Sequence, residues 1–288
     1  MMPTMKRVAL LMSLIMMVVS AAAAPASAQL IAARTYPVAM GHHHFLVEDV
    51  AENVAFWKSL GGEPVELGTL TVIKFPNVFM FLREQKPTAG TNGAVVNHVG
   101  LQFKDLRPVV KRLSSAGTPI ISEEVVGATM TVDDDGLAFN EAAGSYLAFA
   151  LAPNGARVEL YENKDASQPV ANHHIHFYGP EVDAMKAWYV AKFGAEPGQR
   201  AGMEAADIGG ANLTFSPADT KLAGTKGRAL DHIGFEVDGL EAFCRKLEAD
   251  GIHFDRPYEK IESLGLAVAF LTDPWGTYIE LTEGLDDL

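Results

Sequence analysis

Four similar segments follow one another along the chain, and this repetition constrains the fold more than any other feature of the sequence. Each segment opens with a short histidine-containing run that alternates as a strand does. A stretch with apolar residues at helical spacing follows and stops at glycine, and then come several apolar runs bounded by Gly, Pro or Asn. The opening histidines are His42, His98, His174 and His232. We therefore predict four modules, each with the element order β, α, β, β, β.

A second level of repetition indicates that these modules form a duplicated pair. His42-x-His44-Phe45 has the same spacing to a helical aromatic residue as His174-x-His176-Phe177. Residues 153–160 align with residues 274–281, with Pro, Gly, Glu and Leu at matching positions. The predicted boundaries are 36–163 for an N-terminal domain of modules 36–93 and 94–163, and 170–286 for a C-terminal domain of modules 170–226 and 227–286. The fold class is then α+β, with two tandem cupped-sheet barrels.

The first 28 residues have the three parts of a secretory signal peptide: Lys6 and Arg7, an apolar run, and small residues that end at Ala28. The apolar run of about 12 residues is shorter than the roughly 20 residues that cross a bilayer. We therefore expect a secreted or periplasmic protein that is cleaved after Ala28. A retained anchor or a lipid tether is the alternative.

Charge and cysteine content narrow the classes of partner. The formal net charge is −13, and removal of Lys6 and Arg7 with the signal peptide moves it to −15. A surface this acidic argues against nucleic acid and against an anionic membrane as partners. Cys244 is the only cysteine, so no intramolecular disulfide can form. Stability must then come from core packing or from a bound metal.

Three motifs together resemble the vicinal oxygen chelate superfamily, over essentially the whole mature chain. They are a histidine in the first strand of a module, His-x-Gly in the first strand of its partner, and Pro-x-Gly-x-x-x-Glu-Leu in the last strand. That superfamily includes extradiol catechol dioxygenases, glyoxalase I, fosfomycin-modifying enzymes and bleomycin-resistance proteins. The resemblance implies that two modules form one cupped sheet with a divalent metal on its inner face. A substrate with two adjacent oxygens would chelate that metal.

The resemblance also implies two sets of metal ligands. The favoured set lies in the C-terminal half, because residues 272–280 are the closer match to the closing motif, and it comprises His174, His232 and Glu280. The second choice lies in the N-terminal half and comprises His42, His98 and Glu159. Two imidazoles and one carboxylate suit Fe(II) first, and Mn(II) or Zn(II) next.

Two residues are candidates for catalytic roles beside the C-terminal site. His176 lies two residues beyond His174 and should share its inward face, as His44 should share that of His42. Such a histidine serves either as a general base or as a filler of a polar cavity, and both interpretations stay open. Tyr278 in the closing motif lines a pocket or packs in the core. By the same alternation, His43 and His173 should point to the opposite face.

The resemblance implies a metal-dependent enzyme that acts on a small oxygenated molecule, with dioxygenase-like oxidoreductase chemistry ahead of lyase or isomerase chemistry. Phe270 stands where the extradiol enzymes have a tyrosine, and residues 262–266 lack their additional histidine. The alternative is a non-catalytic protein that sequesters a small molecule, as bleomycin-resistance proteins do. The expected partner is a small molecule, with a second copy of the chain as a further candidate.

Overall fold

A computed structural model describes residues 30–31, 35–68 and 70–285. The predicted signal peptide lies outside these residues. Within them the chain forms 16 strands and five helices. No helix in this part of the chain is long and apolar enough to span a membrane.

The four predicted modules are present, each with its strand, helix and three further strands. The first contains β1 (Ala39–Val47), α1 (Val50–Ser59), β2 (Glu63–Leu67), β3 (Leu70–Phe75) and β4 (Val78–Glu84). The second contains β5 (Val96–Phe103), α2 (Arg107–Ser115), α3 (Ser122–Val126), β6 (Ala138–Asn140), β7 (Ser145–Leu151) and β8 (Arg157–Glu162). The third contains β9 (Val170–Gly179), α4 (Val182–Phe193), β10 (Glu196–Arg200), β11 (Met203–Ile208) and β12 (Ala211–Pro217). The fourth contains β13 (Leu230–Glu236), α5 (Leu240–Ala249), β14 (Phe254–Ile261), β15 (Leu266–Thr272) and β16 (Tyr278–Glu283).

Local signals account for the helix ends. The side chain of Asp49 accepts a hydrogen bond from the backbone N–H of Glu52 and so caps the start of α1. Helix α4 ends at Gly194, which adopts the left-handed conformation (φ 67°) that glycine enters without a steric penalty. The helix α3 was not predicted. It lies in the long connection between α2 and β6 and is only five residues long.

The strands form two eight-stranded curled sheets, which confirms the predicted fold class. The first has the order β14-β15-β16-β13-β1-β4-β3-β2, and the second has the order β10-β11-β12-β9-β5-β8-β7-β6. The first sheet therefore joins modules one and four, and the second joins modules two and three. We call these sheets the first cup and the second cup.

The predicted pairing of modules within each half of the chain is wrong. At the centre of the first cup β1 runs antiparallel to β13, and His44 lies opposite His232. At the centre of the second cup β5 runs antiparallel to β9, and His98 lies opposite His176. The four modules carry the same strand pattern, so alternation and helical spacing fit either pairing equally well.

Candidate metal centres

Four side chains converge on the inner face of the first cup, and we call them the first cluster: His42, His44, His232 and Glu280. One ligand atom of each lies within 4.8 Å of the others. Glu280 Oε2 is 3.0 Å from His42 Nε2 and 2.9 Å from His232 Nε2. An ion about 2.1 Å from two ligands at right angles would hold their atoms roughly 3 Å apart. The donor atoms therefore have the spacing of a divalent-metal site.

The hydrogen bonds around His232 indicate that a cation belongs in this cluster. Its Nδ1 lies 2.7 Å from a carboxylate oxygen of Asp231, so Nδ1 carries a proton and donates it. In the neutral ring Nε2 then presents a lone pair to the Glu280 carboxylate, and two acceptors at 2.9 Å repel each other. Either a second proton on His232 or a metal ion must lie between them. A carboxylate behind a metal-binding imidazole is also the arrangement that fixes its orientation.

The pKa shifts point in the same direction. Burial lowers the pKa of His232, but its hydrogen bonds to Asp231 and Glu280 outweigh burial and leave that pKa raised. Burial raises the pKa of Glu280, but the charges and hydrogen bonds of His42 and His232 outweigh it and leave that pKa far below its ordinary value. The first cluster thus stabilises positive charge beside an ionised carboxylate, which favours a metal cation for the same electrostatic reason.

The walls of the first cup are largely apolar. Phe81 stacks on the His42 ring at a centroid distance of 4.5 Å. Phe81 also belongs to a buried apolar cluster with Leu30, Val72, Phe79, Leu266 and Leu285. The ring centroids of Phe270 and Tyr278 lie 5.5 and 5.6 Å from that of His232. A ligand in this cup would therefore contact the polar side chains of the first cluster and otherwise apolar residues.

A corresponding set in the second cup, the second cluster, comprises His98, Glu159, His174 and His176. Glu159 Oε2 is 3.0 Å from His98 Nε2 and 3.3 Å from His174 Nε2. Behind His98 stands an amide instead of a carboxylate, since Nδ1 lies 3.0 Å from Asn97 Oδ1. The donor set matches that of the first cluster, but it has one negative charge fewer.

The second cluster also contains a cation of its own. Arg200 Nη2 lies 3.7 Å from Glu159 Oε1 and 3.4 Å from His174 Nε2. Burial lowers the pKa of His174 well below its ordinary value, and the charge of Arg200 lowers it further. A metal at this cluster would lie close to a guanidinium group that cannot lose its proton. The first cluster is therefore the better metal site.

Each predicted ligand lies in one of the clusters, but the predicted sets mix the two. The favoured set divides, because His174 belongs to the second cluster while His232 and Glu280 belong to the first. The second-choice set divides as well, because His42 belongs to the first cluster while His98 and Glu159 belong to the second. Since modules one and four share one sheet, no site is formed within one half of the chain.

The two candidate catalytic residues also lie in different cups. His176 is in the second cluster, with Nδ1 3.1 Å from His98 Nε2 and Nε2 2.8 Å from the Ser216 hydroxyl. Tyr278 is beside the first cluster, and burial followed by the charge of Asp255 raises its pKa to about 12. In the first cluster the residue that corresponds to His176 is His44, whose ring centroid lies 4.3 Å from that of His232.

His173 does not point to the opposite face as predicted. A bulge between the Gly100 and Leu101 pairings of β5 with β9 interrupts the alternation. As a result His173 Nδ1 lies 2.9 Å from His174 Nδ1, and the His173 ring stacks on Tyr161 at 4.5 Å. Sequence reasoning also missed Asp231 and Arg200. Asp231 adjoins a predicted ligand, whereas Arg200 has no sequence signal.

Comparison with known proteins supports the same family. Residues 172–281 match the family model described as the Glyoxalase/Bleomycin resistance protein/Dioxygenase superfamily. This match covers 110 of the 288 residues and runs through modules three and four, which lie in different cups. No curated protein matches the sequence significantly.

Solved structures share the whole fold at low sequence identity. Glyoxalase I from Zea mays is 14% identical, with 88% of this chain and 95% of that chain covered and a TM-score of 0.66. A putative dioxygenase from Bacillus subtilis subsp. subtilis str. 168 is 15% identical, with 85% of each chain covered and a TM-score of 0.59. At these identities the likeness shows the fold and leaves the reaction to be argued from the site.

Proposed function

We propose that this chain is an exported metal-dependent enzyme of dioxygenase-like chemistry, which acts at the first cluster on a small molecule with two adjacent oxygens. The observation that carries the proposal is the convergence of His42 and His232 on one oxygen of Glu280, at 3.0 and 2.9 Å. Two imidazoles and one carboxylate on one side of an ion leave its other positions for substrate, as in non-haem iron oxygenases. Fe(II) is the proposed metal, ahead of Mn(II) and Zn(II).

The bound metal would supply Lewis acidity and, as iron, a centre for oxygen activation. His42, His232 and Glu280 would hold it, and Asp231 would keep the His232 ring in place through the 2.7 Å contact with Nδ1. The remaining steps depend on neighbouring residues. They must orient the substrate, exclude water and accept a proton from a substrate hydroxyl.

His44 is the proposed general base. It lies in the first cluster without taking part in the contacts that join His42 and His232 to Glu280. Burial, followed by the nearby His232 and His42, lowers its pKa well below the ordinary value, so the ring is neutral near pH 7 and can accept a proton. His44 would take the place of the additional histidine of the extradiol enzymes, which residues 262–266 lack.

The apolar side chains beside His42 indicate which kind of group is attached to the two oxygens of the substrate. Phe79, Phe81 and Leu266 belong to the buried cluster beside His42. An aromatic or branched apolar group attached to the two oxygens would bury its surface there, and each buried CH₂ contributes about 0.8 kcal/mol. The small catechols are the first compounds to test.

The experiment compares two matched double variants after anaerobic purification without chelator. We expect His232→Ala with Glu280→Ala to lose the metal, and His98→Ala with Glu159→Ala to keep it, as measured by elemental analysis. Oxygen uptake with catechol and 4-methylcatechol should be lost in the variant that loses the metal and kept in the variant that keeps it. Loss of metal only in the second variant would move the site to the second cup. Metal without turnover of any vicinal-oxygen compound would favour a sequestering protein over an enzyme.

A further inference from the structure

The two cups differ at the equivalent positions that end β2 and β10. In the first cup β2 ends with Leu67 paired to Leu70, and both contact the apolar cluster around Phe81. In the second cup β10 ends with Arg200 paired to Met203. A leucine of the apolar wall is thus replaced by an arginine that reaches the second cluster.

Arg200 is not fully satisfied by the residues that surround it. One nitrogen, Nη2, faces Glu159 at 3.7 Å and His174 at 3.4 Å. Among the residues that the structure describes, Nε and Nη1 have no hydrogen-bond partner although both are buried. The side chain is only 18% exposed. Buried donors of a charged group are costly to leave without acceptors, so an acceptor from outside the chain is expected here.

The Arg200 side chain lines a cavity of about 130 Å³. Its lining includes Arg200, Tyr161, His173 and Asn140. Arg200 is the one residue of this lining with a permanent positive charge. Tyr161 and His173, which stack on each other within 10° of parallel, make part of the lining aromatic.

We propose that the second cup binds a small organic carboxylate on Arg200, at a site distinct from the proposed metal centre. A carboxylate matches the planar N–H groups of a guanidinium, and a flat group attached to it would lie along Tyr161. Glu159 also lines the cavity, and its carboxyl group faces Arg200 Nη2 at 3.7 Å. A single negative charge is therefore favoured over the dianion of phosphate.

The test measures binding of benzoate to the chelator-treated protein by isothermal titration calorimetry, so that the result does not depend on metal or on turnover. Benzyl alcohol serves as the neutral analogue and inorganic phosphate as the dianion. We expect saturable benzoate binding that is at least about tenfold tighter than binding of either comparison compound. Equal binding of benzyl alcohol, or no benzoate binding up to about 10 mM, would overturn the proposal.

Three variants locate the site. Arg200→Leu installs the residue of the first cup and should weaken benzoate binding by at least about tenfold. Arg200→Lys keeps the charge without the planar donors and should bind benzoate with intermediate affinity. Arg83→Leu removes an exposed positive charge outside the cavity and should leave binding unchanged. Unchanged binding in Arg200→Leu would overturn the proposal.

A measurement on the wild-type protein tests the site even if the variants do not fold. In the wild-type protein the Arg200 Nε–H resonance should shift on addition of benzoate in a nitrogen-15 spectrum, and Arg200→Lys identifies that resonance by its absence. An Arg200 resonance that does not move at saturating benzoate would place the ligand elsewhere. The metal content at the first cluster is a separate measurement, so failure here and failure of the proposed enzyme are distinguishable.

Discussion

The ring of His42 lies against the backbone of Gly234 on the neighbouring strand, in the space that a side chain there would fill. A Cβ atom at Gly234 would overlap three atoms of that ring. The same relationship joins His174 to Gly100 in the second cup. The glycine of each His-x-Gly motif thus makes room for the histidine of the partner module, and this gives the motif a physical reason.

This relationship makes Gly234→Ala a specific test of the first cluster. The added methyl group must push His42 away from Glu280, and overpacking of this kind costs about 1–3 kcal/mol of folding stability. We expect metal to be lost from the first cluster, as measured by elemental analysis and by thermal unfolding with and without metal. Gly100→Ala is the matched control, since it displaces His174 and should leave the metal bound. Equal metal loss in both variants would contradict this assignment.

Asp231→Asn tests the group behind the metal ligand. It gives His232 the amide that His98 already has in Asn97, and it removes a negative charge 2.7 Å from Nδ1. We expect metal affinity to fall roughly 10- to 100-fold, as measured by competition with a chelator of known affinity. The reciprocal change, Asn97→Asp, should leave the affinity of the first cluster unchanged. An unaltered affinity in Asp231→Asn would mean that His232 is not a ligand.

Arg200→Leu should also change the number of metals that the protein holds. The variant removes the cation 3.4 Å from His174 Nε2 and leaves two imidazoles facing an ionised Glu159. We expect metal content to rise from about one to about two equivalents per chain when metal is supplied in excess. Arg83→Leu should stay at about one. A constant metal content in Arg200→Leu would show that Arg200 does not exclude metal from the second cluster.

His43 gives a prediction for pH dependence. Burial, followed by the nearby His42, lowers its pKa from 6.5 to about 3. The unfolded chain therefore binds a proton below pH 6.5 that the folded chain binds only near pH 3, so stability falls as the pH falls through this window. At about pH 5 the loss from this residue is about 2 kcal/mol relative to neutral pH.

The matched variant is His43→Ile, because isoleucine occupies the equivalent position 175 in the third module. Urea unfolding of the chelator-treated protein near pH 7.5 and near pH 5 should show a free energy of unfolding that depends less on pH in the variant, by about 2 kcal/mol. The same pH dependence in both proteins would show that His43 is protonated in the folded state.

Sequence reasoning predicted the modules but not their partners. Period-two alternation and helical spacing report which face of an element is buried, and they gave the correct inward face for His42, His174 and His232. They say nothing about which module a given edge strand joins, because β1 could pair with β5 or with β13 by the same pattern. His173 was misplaced for a related reason, since one extra residue in a bulge reverses the faces that follow or precede it.

In chain order the second cup lies between the two parts of the first cup, and this sets an order of assembly as the chain emerges N-terminus first. The second cup is built from one continuous stretch, β5 to β12, whereas the first needs β1 from the beginning and β16 from the end. His42 and Glu280 are separated by 238 positions, so their contact closes a very long loop. As the chain emerges, all strands of the second cup are available before β13, the partner of β1, has appeared. The proposed metal centre is then the last part of the molecule to form, and a chain truncated before Glu280 has a complete second cup but no ligand set in the first.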